Sequence, residues 1–263
     1  SHDEQPTHQE AGVAEQQGHH GASIAPHEIF SLDVPGIGDV PVTNTLFSSW
    51  LAMGVLLIVA YLATRRMSLV PSGLQNVVEA IIEQFLRMAE QTAGPKRGRR
   101  FLPLVATSFL FILVANWMGI LPGYAEGQTP WLRSANSDLN ITAAMAIVVF
   151  FWVQVSAIRA MGVVHYLKEF LVPLPLLHLF TELGKPVSLA LRLFGNIFAG
   201  EILIGMMSSL VPFVIPAVFL LFEMFVGVVQ ALIFAMLTMA FLTIVTEHEH
   251  EHEEGAHGHA EAS

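Results

Sequence analysis

The stretch HLFTELGKPVSLALRLFGNIFAGEILIG, residues 178–205, decides how the rest of the chain must be read. It is apolar enough for a helix inside a membrane, yet it carries Glu182, Lys185, Arg192 and Glu201. A full charge at the centre of a membrane helix costs roughly 2.5–3.5 kcal/mol on insertion scales, so such residues must face water, one another or a partner's charge. Their spacing is ordered. At 100° per residue, His178, Glu182, Lys185, Leu189, Arg192 and Asn196 fall within an arc of about 80°, flanked by Thr181 and Ser188. One polar stripe therefore runs along an otherwise apolar helix. Glu201 lies nine residues after Arg192 and projects to nearly the opposite side, unless Gly195 or Gly200 alters the helix.

A second striped segment follows. Glu223, Gly227 and Gln230 are spaced by four and three and share a helix face. Two buried helices with facing polar stripes describe an aqueous or proton-conducting path. Upstream, residues 46–64 form a first apolar run. Residues 101–125 contain no charge and residues 139–158 none either, each long enough to cross a hydrocarbon core about 30 Å thick. The segment 65–100 between the first two runs is different, with seven basic and three acidic residues. Its middle, LQNVVEAIIEQFLRMAEQ (residues 74–91), places Leu74, Val77, Val78, Ile81, Ile82, Phe85, Leu86 and Met88 at helical spacing. Glu79, Glu83, Arg87 and Glu90 lie mainly on the other side, the pattern of an amphipathic helix at the membrane surface. The expected fold is an all-α polytopic membrane protein of about five membrane-embedded helices plus one amphipathic surface helix. The last two helices are long and polar-striped.

Composition agrees. The 263 residues are 53% apolar and only 13% charged, against about 25% charged in soluble domains. A simple water-soluble globule is excluded. The net charge of −10 reflects the ends: residues 1–45 hold seven acidic residues and residues 247–263 hold six, with no Lys or Arg in either. That periphery argues against nucleic-acid binding. Residues 1–30 read as a disordered His/Glu-rich tail, 31–247 as the membrane domain, opening with a loop (DVPGIGDVPVTNT, residues 33–45), and 248–263 as an acidic His-rich tail. No signal peptide is expected, and the absence of Cys excludes disulfides and thiolate chemistry. Orientation follows from Lys and Arg placement. None precedes Arg65 and seven of twelve lie in residues 65–100, so the N-terminus is expected outside and the amphipathic segment inside. The loop near Arg133 is then outside and the connector with Arg159 and Lys168 inside. Two further membrane helices return the C-terminus to the inside.

Each polar group has a plainer reading beside the functional one. Glu182 and Lys185, three apart, suit a local ion pair of purely structural value. His178 suits an interfacial hydrogen-bonded histidine as well as a proton relay. Glu201 and Glu223 suit inert buried acids as well as a pair sharing protons. Arg192 is too far from either helix end to snorkel to water. Of twelve histidines ten lie in the tails, where His248, His250 and His252 alternate like a chelator but read better as a solvated, unspecific tail. The alternative function is a His-rich divalent-metal transporter. It is weakened because only His178 falls on an intramembrane stripe. An intramembrane hydrolase would need a motif such as GxSxG or HExxH; GxSxG is absent, and the one HExxH match, HEHEH at residues 248–252, lies in the acidic tail and not in a membrane span. No cofactor or metal site is expected, and no GxxxxGK[ST] loop is present for ATP chemistry.

The run KPVSLALRLFGNIFAGEILIG (residues 185–205) resembles the signature of subunit a of bacterial-type F-type ATP synthases, and VQALIFAMLT (residues 229–238) resembles that family's second signature. VPVTNTLFSSW (residues 40–50), VPSGLQNVVEAIIEQ (residues 70–84) and ANWMGILPGY (residues 115–124) are also similar to it. The resemblance covers about residues 28–247. It implies a non-catalytic stator beside a rotating ring of c subunits, each with a membrane-embedded carboxyl. Protons enter by one half-channel, ride the ring, and leave by another. Arg192 would face the ring carboxylate, with Asn196 its polar companion one turn on. Glu201, Glu223 and Gln230 would match polar positions of the outer half-channel. His178 stands where many relatives have Glu on the inner side, and Glu223 where some have His. The resemblance further implies the c-ring, b-type peripheral stalk subunits, the remaining ATP synthase subunits and the lipid bilayer as partners. The location it implies is an energy-coupling membrane, for a bacterium the plasma membrane.

Overall fold

A computed structural model describes residues 28–34, 38–68, 71–120, 133–164, 166, 175–211 and 214–260, with backbone alone for residues 30, 32–34, 38–40, 175–179 and 247–260. The first element is a hairpin. Strand β1 (Glu28–Val34) pairs antiparallel with β2 (Gly38–Thr43), Leu32 opposite Val40, with an irregularity between Glu28 and Phe30. This replaces the loop expected over residues 33–45 and takes in the end of the expected tail. The alternation was present in the sequence, with Phe30, Leu32 and Val34 answering Val40 and Val42. Pro35, Gly36, Gly38 and Pro41 gave it the look of a loop, although proline is tolerated on an edge strand. Residues 1–27, most of the expected tail, lie outside the described residues.

Six α-helices follow among the described residues: α1 (Asn44–Thr64), α2 (Leu74–Ala93), α3 (Pro95–Ile120), α4 (Leu139–Met161), α5 (Pro175–Leu210) and α6 (Val214–Ala260). Local chemistry sets their starts. The Thr43 hydroxyl accepts from Leu46 N–H at 3.3 Å to cap α1, and Asp138 accepts from Asn140 N–H at 2.9 Å to cap α4 after a 3-10 turn, Ala135–Ser137. Pro95 occupies the first position of α3, where no amide donor is needed.

Five helices, all but α2, are long and apolar enough to cross a membrane. This is the expected architecture. Helix α6 does not stop where its apolar run ends at Thr246. Its backbone stays helical to Ala260, through most of the stretch read as a low-complexity tail.

The exception, α2, is the amphipathic helix. Its buried residues are Gln75, Phe85, Ala89 and Ala93, while Glu83 and Arg87 pair at 3.1 Å on its exposed face. Phe85 stacks at a tilt on Phe109 of α3, centroids 4.7 Å apart, so part of the apolar face is spent on the bundle. Val77, Leu74 and Ile82 stay exposed on the remainder. The crossing onto α3 is tight, because a Cβ at Gly98 would stand 2.6 Å from the Ala89 carbonyl carbon. Only glycine fits there.

The core lies among α3, α4, α5 and α6, built from Val105, Ile112, Val149, Leu193, Phe234 and Leu242. Between 22% and 50% of each apolar stretch is buried in the chain itself, leaving the rest for lipid or a partner. Two polar ends frame the bundle. At one, Thr45 donates to Asp138 at 2.9 Å and the Arg133 amide to Ser48 Oγ at 3.3 Å, joining the start of α1 to the start of α4. At the other, Arg97 donates to the Thr246 carbonyl at 2.6 Å and Arg99 pairs with Glu90 at 3.0 Å.

Candidate functional site

The polar stripe of α5 lies on one continuous helix, with Pro186 inside it. Leu189, Leu193 and Ile197 turn into the core, which rolls the stripe to the boundary between core and exposed surface. Its residues therefore meet different surroundings. Glu182 is buried and bonds Lys185 one turn on; the ammonium also lies 5.7 Å from the Phe241 ring centroid on α6. Ala146, Val149 and Val153 of α4 line the pocket around this pair. Arg192 stands on the exposed side with Val187 and Leu191. Its one described hydrogen bond is to Ser188 Oγ at 3.5 Å, the outer limit of such a contact. Among the described residues no carboxylate pairs with it. His178 sits in the first turn of α5, and its side chain lies outside the described residues.

One turn beyond Arg192, Asn196 opens onto a cleft between α5 and α6, lined also by Gly200, Ile204, Phe222 and Glu223. A Cβ at Gly200 would lie 2.8 Å from Glu223 Oε1, so the carboxyl rests on bare backbone. The next residue, Glu201, points away from Arg192, as the nine-residue spacing requires. Its carboxylate receives Arg133 Nε at 2.9 Å, with Ser137 beside it. Glu223 thus rests against the residue that precedes Glu201 in the chain, which brings both acids to the same stretch of α5. Gln230, two turns below Glu223, is buried on the same face of α6.

The geometry adds residues that the stripe alone does not reveal. Asn136 of the 3-10 turn donates to Asn116 Oδ1 at 2.7 Å, and Asn116 donates to the Gly227 carbonyl at 3.1 Å. A chain of buried amides thus links the segment before α4 through α3 to α6. Asn136 Oδ1 is buried with no hydrogen-bond partner among the described residues. The signals were a lone amide inside an uncharged span and a polar RSANSD run just before the next one.

The fold and these groups define a polytopic integral membrane protein with charge built into its spans. The ATP synthase A chain family matches residues 46–243, and the chain belongs to that family. Among curated relatives, ATP synthase subunit a of Moorella thermoacetica is 38% identical over 222 residues, covering 83% of this chain and 95% of its own length. ATP synthase subunit a 1 of Crocosphaera subtropica is 37% identical over 203 residues, 75% of this chain and 84% of the relative. ATP synthase subunit a 1 of Syntrophotalea carbinolica is 39% identical over 201 residues, 74% and 82% respectively.

Proposed function

We propose that the chain is the ion-translocating stator of an F-type ATP synthase, coupling a proton-motive force to ATP synthesis. The observation that carries this reading is Arg192. A guanidinium far from either end of a membrane helix, exposed and without a carboxylate among the described residues, needs a counter-charge from outside the chain. A carboxyl on each subunit of an adjacent c-ring supplies it. A protonated carboxyl is neutral and tolerates lipid, whereas an ionised one does not. As a ring site reaches Arg192, the fixed cation favours the ionised form and the proton leaves. Arginine suits the task because it stays charged where a desolvated lysine loses its proton. The same cation bars a proton from passing straight between the two half-channels.

The outer half-channel in this reading is the cleft of Asn196 and Glu223, continued by Glu201 and Gln230. Its support is the approach of Glu223 to Gly200, the residue before Glu201. The inner path contains Glu182, Lys185 and His178, near the end of the bundle that bears α2. The basic residues of 65–100 favour that end as the inside, with the N-terminus outside and, after five spans, the C-terminus inside. Each proton crossing is worth roughly 2.3 kcal/mol per 100 mV, so several must pass for each ATP. The ATP chemistry itself belongs to partner subunits, and a b-type stalk would hold this chain against the turning ring. An energy-coupling membrane, the plasma membrane in a bacterium, is the setting. The metal-transporter alternative draws no support from the family.

The test is neutralisation of the two outer acids in the assembled enzyme. Glu201→Gln and Glu223→Gln should each slow ATP-driven proton pumping in part, and the double change far more. A double variant that pumps like the wild type would make both acids merely structural.

A further inference from the structure

Arg133 lies in the connection between α3 and α4, 68 positions before Glu201 in the chain. Yet the two side chains meet at 2.9 Å and are only 11% and 23% exposed. We propose that Arg133 is a positioning residue of the outer proton path, holding the Glu201 carboxylate beside Glu223. This role rests on the stator function proposed for the chain.

The arginine is itself well anchored. Its amide donates to Ser48 Oγ on α1 at 3.3 Å, and the following Ser134 packs so closely on α3 that a Cβ at Gly119 would stand 2.7 Å from the Ser134 Cβ. Asp138, five residues on, is tied to Thr45 at 2.9 Å. The guanidinium therefore projects from a fixed platform built by α1, α3 and the 3-10 turn. Among the described residues, the charged groups that face Glu201 are Arg133 from that platform and Glu223 from α6. One guanidinium and two carboxyls reach zero net charge when they share one proton. A low-dielectric site favours that neutral sum, and when the shared proton moves on, the site carries one net negative charge that the Arg133 guanidinium partly offsets. Without Arg133, two unscreened carboxyls would face each other, and Glu201 would have no partner to fix its rotamer.

The experiment uses the assembled enzyme in vesicles, with ATP synthesis followed against the pH of the outer compartment. Arg133→Gln should lower the rate about tenfold, because Glu201 loses the contact that fixes its position. It should also move the pH at half-maximal rate. Arg133→Lys should restore most of the rate, because the contact needs one N–H donor. Adding Glu201→Gln to Arg133→Gln should cost little more, since the pair acts as a unit. Wild-type behaviour of Arg133→Gln, a pH profile that does not move, no rescue by Lys, or losses that multiply would each overturn the role. Arg192→Ala in the same vesicles separates the two readings. If it still couples, the stator reading falls. If it does not, an unaltered Arg133→Gln enzyme refutes the positioning role alone.

Discussion

Glu223 and Gly200 meet where α5 and α6 come together: a Cβ placed on Gly200 would stand 2.8 Å from Glu223 Oε1 and 3.1 Å from its carboxyl carbon. The acid sits where it does because its neighbour lacks a side chain. Asn196 and Glu223 can then line one cleft a turn away from Arg192, while Glu201, the residue after Gly200, projects away from Arg192. Gly200→Ala should push the carboxyl out of this seat and slow proton pumping, with assembly intact. Gly54→Ala on α1, where a Cβ meets nothing within 4 Å, serves as the control and should be silent. Equal pumping by the two variants would show that the seat of Glu223 is unimportant.

The Glu182–Lys185 pair lies among α4, α5 and α6 with Glu182 buried and Lys185 half-buried, and breaking one half strands the other. Glu182→Gln or Lys185→Met alone should destabilise the chain by about 3–5 kcal/mol, whereas both together should cost less. The checks are the yield and thermal stability of the assembled complex. If both single variants assemble normally but pump poorly, the pair conducts protons rather than holding helices together.

Much of this architecture was legible from the residues. Long uncharged runs gave the spans, and the apolar period of residues 74–91 gave α2, because hydrophobic length and period respond directly to a bilayer and its surface. The hairpin of β1 and β2 was hidden by its own turn residues. The site was legible as a stripe but not as contacts. A helical wheel places Glu182, Lys185 and Arg192 in one arc, and only packing of Leu189 and Leu193 reveals that Lys185 turns inward over Phe241 while Arg192 stays exposed. Arg133, Asn116 and Asn136 stood out only as polar residues in or beside an apolar span; their contacts were hidden because the partners are far away in sequence, where local periodicity carries no information.

Helix α2 is expected along the inner membrane surface, with Glu83 and Arg87 toward water. The chain contains no cysteine, so Glu83→Cys offers a single labelling site. A membrane-impermeant thiol reagent should reach it from the inner side. Reaction from the outer side alone would invert this topology.

The crossing of α2 over α3 depends on Gly98 lying against the Ala89 backbone. Gly98→Ala should separate the helices and cost about 1–3 kcal/mol, the usual penalty for overpacking. Reduced thermal stability of the complex is the readout, and unchanged stability would mean the two helices do not approach so closely.

The most direct test is ATP synthesis and proton uptake by vesicles bearing Arg192→Ala, normalised to subunit content. Arg192 is exposed in the middle of α5, where its proposed task needs a permanent cation opposite the ring. The expected result is an assembled complex with neither ATP-driven pumping nor synthesis, and with a passive proton leak because the barrier between the half-channels has gone. Arg192→Lys should remain severely impaired. A correctly assembled Arg192→Ala complex that made ATP at a substantial rate would contradict the mechanism.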